Sequence, residues 1–163
     1  MRYNKEKFKN AVLYLAKNAG SDVGKKKLAK LLYFIDFTLY ELREKSLSGM
    51  DYAKRDYGPM PEPIPFYDAL KELQGEKIIN IKKSDGSFLE KIIPKEDPDM
   101  NVFDEKENEV LQQTAEKYRL ENAGNLERLA QSEPPYKMVE YGEKIPYHLA
   151  FYRNSFGEMD LNG

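Results

Sequence analysis

Residues 25–43, KKKLAKLLYFIDFTLYELR, leave few options for the rest of the fold. Leu28, Leu31, Leu32, Ile35, Leu39 and Leu42 recur at helical spacing and form one continuous stripe. Tyr33, Phe34, Phe37 and Tyr40 cover much of the remaining circumference. A helix that is apolar nearly all round has to be surrounded, so this one is predicted at the centre, with the other helices packed about it. Asp36 lies inside the stripe, between Ile35 and Phe37. A carboxylate buried there needs hydrogen-bond donors. The expectation is that it anchors the loop opposite, through Arg55 or through backbone N–H groups near Tyr57 and Gly58.

The flanking segments read as lesser elements. Phe8, Ala11, Val12, Leu15, Ala16 and Ala19 predict an amphipathic helix over 5–19, capped by Asn4 and ended by Gly20. Residues 46–56 read as extended. KIINIKK (77–83) and FLEKIIP (88–94) read as two strands joined by SDGS, because Asp-Gly between such runs signals a hairpin. Asp104 and Glu107, three residues apart, make a capping box for a helix over 105–118. Leu126, Leu129 and Ala130 predict a helix over 123–132, before Pro134 and Pro135, and IPYHLAFY (145–152) a last short helical element. The expected fold is mainly α with a small β-hairpin, an α+β domain around the helix at about 25–43. With 163 residues the chain suggests a single domain, over 1–152, with 153–163 a frayed tail.

The stretch KRDYGPMPEPIPFY (54–67) carries prolines at 59, 61, 63 and 65. A polyproline ligand presents prolines three residues apart, and no pair here has that spacing. Proline is tolerated in a first helical turn, so a helix is predicted from near Pro63 through Phe66, Leu70 and Leu73 to Gly75. Before it, Gly58 is held extended by Pro59, and the chain turns a sharp corner. Tyr57 is expected to pack its ring in that corner against the central helix, while Lys26 stays solvated. On this reading Tyr57→Ala damages folding more than Lys26→Ala.

Composition excludes much chemistry. The absence of cysteine removes disulfides, thiolate metal sites and cysteine nucleophiles together. One histidine, His148, leaves no histidine-based metal cluster. There is no phosphate-cradling glycine loop, no HExxH and no GxSxG. A hydrolase or transferase would have to work through His148, and His148→Gln would then abolish function. The chain is expected not to be an enzyme and to need no cofactor or metal. No apolar run approaches the ~20 residues of a membrane span, and the first residues hold no signal-peptide core, so a cytoplasmic protein without membrane contact is expected. The net charge of −2 is unevenly spread: residues 1–45 carry 11 Lys and Arg against 5 Asp and Glu, and the remainder 15 against 23. That division gives either two solvated surfaces or a basic face for an acidic or nucleotide-bearing partner. Lys25, Lys26 and Lys27 open the central helix against its macrodipole. The aromatic cover of that helix leaves little outer face for reading DNA.

Several segments together resemble a known family. KLAKLLYF at 27–34 is followed by an extended stretch ending in DYGPM at 56–60; PPY at 134–136 and GEKI at 142–145 come later in the same order. This pattern resembles the SocA-like antitoxins, the Panacea domain, which also occurs in phage-associated GepA-like proteins, and the likeness spans roughly residues 5–150. Many relatives carry a tryptophan shortly before Tyr-Gly-Pro and another after the late proline; this chain has none, and Lys54 or Arg55 and Tyr136 stand near those places. The resemblance implies a mostly α domain that neutralises a cognate protein toxin, encoded by an adjacent gene, by direct binding. Candidate partner-binding or motif residues are Lys26, Lys27, Tyr33, Asp36, Tyr40, Arg55, Tyr57, Gly58, Pro59 and Tyr136. Some relatives carry a separate DNA-binding domain; this chain begins directly with the antitoxin-like one, so DNA-based autoregulation is not expected of it, and nucleic acid is not the expected partner. The alternative is a nucleic-acid-binding regulator using the basic N-terminal third. A homo-oligomer is compatible with either.

Overall fold

Helix α2 (Lys25–Arg43) occupies the centre of the computed structural model, which describes residues 2–83 and 90–153. Its predicted bounds hold. Leu28, Leu31, Leu32, Tyr33, Ile35, Phe37 and Leu39 are all fully buried. Around it, in chain order, are α1 (Lys5–Asn18), β1 (Tyr52–Arg55), β2 (Gly58–Pro61), α3 (Pro63–Gly75), β3 (Ile79–Lys83), β4 (Glu90–Pro94), α4 (Glu105–Lys117), α5 (Ala123–Gln131), α6 (Pro134–Lys137) and β5 (Lys144–Ile145). Short 3₁₀ helices cover Met100–Val102 and Tyr147–Tyr152. The fold is thus mostly helical with two small antiparallel sheets, an α+β arrangement. Helices α4 and α5, strand β2 and the second 3₁₀ helix all pack on α2. No helix among the described residues is long and apolar enough to cross a membrane.

Local signals account for most boundaries. Asn4 accepts the Lys7 N–H at 3.0 Å and starts α1. The α4 capping box is complete: the Asp104 side chain accepts from Glu107 N–H, and the Glu107 side chain accepts from Asp104 N–H, both at 2.9 Å. Strands β3 and β4 pair in register from Ile79 opposite Pro94 to Lys83 opposite Glu90. The predicted SDGS turn between them lies outside the described residues. The segment 145–152 departs from a single helix: Lys144 and Ile145 instead join β1, and the 3₁₀ turn follows.

The prolines do more than start a helix. Pro59 and Pro61 belong to β2, which among the described residues pairs only with β1 and forms the edge of the three-stranded sheet β2–β1–β5. Glu62 N–H donates to Asp51 at 2.9 Å, so residues 58, 60 and 62 point their amides at β1. Pro59 and Pro61 therefore stand where an N–H would face outward unpaired, the one place a strand accepts proline without losing ladder bonds. Two residues later, Pro63 opens α3 at its first turn. The expected corner is thus a hairpin, its return eased by Gly58 at φ +100°.

Asp36 anchors a loop as expected, but a different one. Its carboxylate accepts from Leu47 N–H and Ser48 N–H, each at 2.8 Å, from Ser48 Oγ at 2.5 Å and from the Tyr52 hydroxyl at 2.6 Å. Arg55, Tyr57 and Gly58 are not among these partners; Arg55 pairs instead with Glu62 at 3.4 Å. Ser48 Oγ in turn accepts from Met50 N–H. The single carboxylate thus organises residues 47–52 on the way into β1. Burial pushes its carboxyl up while the four donors pull it down, and burial prevails.

The uneven charge is largely resolved inside the fold. Lys5, Lys7, Lys17, Lys25 and Arg43 reach carboxylates at Glu72, Glu107, Asp97, Glu90 and Asp104, all in the acidic remainder of the chain. The basic third is therefore a complement to the rest of the molecule more than a free basic face.

Candidate functional site

Three of the segments that carry the resemblance, 27–34, 56–60 and 134–136, meet in space around the β1–β2 hairpin. Helix α2 contributes Lys30, whose ammonium donates to the Pro59 carbonyl at 3.0 Å. That carbonyl faces outward because the strand alternates, so proline at 59 leaves an acceptor and no donor beside the lysine. The Lys30 ammonium also sits 5.6 Å from the centre of the Tyr57 ring. Next to it a Cβ built on Gly58 would lie 3.2 Å from the same nitrogen, so glycine keeps this contact open. The third segment is tied on by two hydroxyls. Tyr33 donates to Glu133 at 2.8 Å, and Tyr136 donates to the Arg55 carbonyl at 2.9 Å. Gln131 on α5 reaches the Asp56 carbonyl at 3.3 Å, closing the helix over the hairpin turn.

Not all the candidate contact residues face outward. Tyr33 is fully buried, and burial beside Glu133 holds its hydroxyl well above the usual tyrosine range. Asp36 is equally buried. Lys27, a candidate contact residue, is buried as well, bonded to Asp22 at 3.0 Å and to the Arg119 carbonyl at 3.2 Å. Tyr40 is partly buried and stacks on Tyr147 with ring centres 5.3 Å apart. Tyr136 is mostly buried; Lys54 covers its ring at 4.3 Å and the exposed Tyr141 ring at 5.0 Å. Tyr57, by contrast, was expected to be packed and is 41% exposed. A two-residue turn at 56–57 carries its ring out over Lys30 in place of wedging it into the core. Lys26 is exposed, as expected.

Two groups had escaped sequence reading. Lys30 stands among apolar neighbours in the octet at 27–34 and is 3% exposed. Burial brings its ammonium down to about 8 despite attraction from Glu127. A lysine four residues before Phe34, inside a stripe predicted to be enclosed, was the available signal. Arg153, placed at the start of the expected tail, is buried against Glu133 and Glu41, each at 2.9 Å, and donates to Thr38 Oγ at 3.1 Å. Nothing local announces that role.

Beside the hairpin runs an open groove of about 590 Å³ between the start of α2, α3 and β4, lined by Lys25, Lys26, Tyr67, Lys71 and Glu90. Lys25 sits 5.6 Å from the Tyr67 ring centre. Burial pushes the Tyr67 hydroxyl up. Among the described residues no group of three or more acidic or histidine side chains could hold a metal ion. His148 is exposed on the last 3₁₀ turn.

A family model described as "Antitoxin SocA-like, Panacea domain" matches residues 28–137, which include Lys30, the hairpin and Tyr136. No curated protein and no solved structure matches the chain.

Proposed function

We propose that this chain, which belongs to the SocA-like antitoxin family of Panacea domains, neutralises a cognate protein toxin by binding it directly at the hairpin face. The observation that carries the reading is the convergence of the three motif segments. They lie up to about a hundred residues apart, yet Lys30–Pro59, Tyr33–Glu133 and Tyr136–Arg55 join them beneath one exposed tip. A buried polar framework of this kind ties the hairpin backbone to the helices beneath it, and an exposed aromatic on such a support is a good anchor for a protein partner. Tyr57 is that anchor. The unit that does this is residues 1–152 together with Arg153. The work requires no cofactor and no chemistry, and the toxin is the product of an adjacent gene.

Co-expression tests this. The adjacent open reading frame should be toxic alone and harmless with this chain; adjacent genes that are all harmless alone would remove the reading. The nucleic-acid alternative loses its main support, since α2 is enclosed and most N-terminal cations are paired within the fold. Tight duplex binding that weakens steeply with salt would restore it.

A further inference from the structure

We infer that Lys30 is a socket for a carboxylate of the bound protein, roofed by Tyr57 and one helical turn from Lys26, which with Lys71 lines the neighbouring groove. This deepens the antitoxin reading and rests on it for the identity of the partner.

The first observation is an imbalance. On α2, Lys25, Lys27 and Arg43 all reach carboxylates, whereas Lys26 and Lys30 close no ion pair among the described residues. The second is the state of Lys30 itself. An ammonium has three donors, and among the described residues the one hydrogen bond this one makes is to Pro59. Glu127 attracts it without closing an ion pair. A buried cation so poorly matched is costly to the free protein. An incoming carboxylate would supply the missing partner in a sheltered place, where a charge-assisted hydrogen bond is strongest. The third is access. Among the described residues the one aromatic over the ammonium is Tyr57, at a turn and partly exposed, so moving its ring opens the socket without disturbing the core.

The surroundings favour a protein over a nucleic acid. Asp22, Glu90 and Glu127 interrupt the strip, so a continuous phosphate backbone would meet repulsion at several points. An extended acidic segment, with apolar contacts to Tyr67 and Tyr57 and one carboxylate aimed at Lys30, fits the alternation.

The test is a low-salt NMR titration of the full chain with a capped hexaglutamate peptide, with capped hexaglutamine and a short DNA duplex as the other arms. Shifts are expected at the Lys30 side chain and at the Tyr57 and Tyr67 rings with hexaglutamate alone. Lys30→Met should weaken that binding at least about tenfold (≈1.4 kcal/mol per decade), while its urea midpoint at pH 7 is no lower than wild type, because a mismatched charge has left the interior. Lys45→Met, an exposed change elsewhere, should do neither. Wild-type affinity in Lys30→Met overturns the socket, as does weakened binding accompanied by a lowered midpoint, which marks a purely structural lysine. Tighter binding of the duplex with the same shifts overturns the assignment to a protein carboxylate. Loss of toxin neutralisation as a function, with hexaglutamate binding intact, would remove the antitoxin reading and leave the socket standing.

Discussion

Asp36→Ala is expected to lower the unfolding free energy by about 4 kcal/mol or more. The substitution strips the acceptor from Leu47 N–H, Ser48 N–H, Ser48 Oγ and the Tyr52 hydroxyl at once. Each buried donor left unpaired costs about 1–3 kcal/mol, and a domain of this size holds only about 5–15 kcal/mol in all. Ser48 and Tyr52 are wholly buried, so water cannot easily replace the lost acceptor. Asp36→Asn should be milder: the amide oxygen still accepts two bonds, and the hydroxyls can turn to accept from its NH₂. Urea unfolding of the two variants checks the ordering. A midpoint for Asp36→Ala close to wild type would mean that the loop is not held through this carboxylate.

Arg153→Ala should cost about 3–5 kcal/mol, because it leaves two carboxylates enclosed without their cation. Glu133 would keep the Tyr33 hydroxyl, but Glu41 has no hydrogen-bond donor among the described residues and depends on the guanidinium 2.9 Å away. Burial already lifts Glu41 from an ordinary 4.5 to about 7, against the pull of Arg153. The folded protein thus holds a proton there that the unfolded chain loses between those values. Stability from this group is complete below about pH 4.5 and is lost as pH rises toward 7. Wild type should therefore gain from Glu41 on mild acidification. Glu41→Gln should flatten that slope, and the Arg153 loss should be partly offset at pH 5. A Glu41→Gln profile identical to wild type from pH 5 to 7 would contradict this.

What could be read in advance follows a physical division. Helix α2 was legible end to end because nineteen residues of apolar periodicity admit one interpretation. The α4 capping box was legible because both halves lie three residues apart. Asp36 was correctly assigned to a loop, but its partners at 47, 48 and 52 could not be chosen over 55–58, since both stretches follow the helix and both offer donors. The prolines misled because alternation suits a strand edge and a turn equally; only the pairing of β2 with β1 decides which amides face outward. Tyr57 followed from that error. Read as a corner, it belonged inside; as a hairpin tip it lies outside, so Tyr57→Ala is now expected to cost stability only on the scale of a surface change, about 0.5 kcal/mol, and to act on binding. Lys30 and Arg153 stayed hidden for a common reason: their partners at 59, 41 and 133 are distant in sequence.

The central claim is that the joined motif segments present one binding face. Amide hydrogen exchange on the chain alone and in complex with the proposed toxin partner tests it most directly. Protection on binding is predicted at 24–31, 55–60 and 64–71, with residues 100–117 unchanged. Protection confined to 100–117, with the hairpin unaffected, would contradict it.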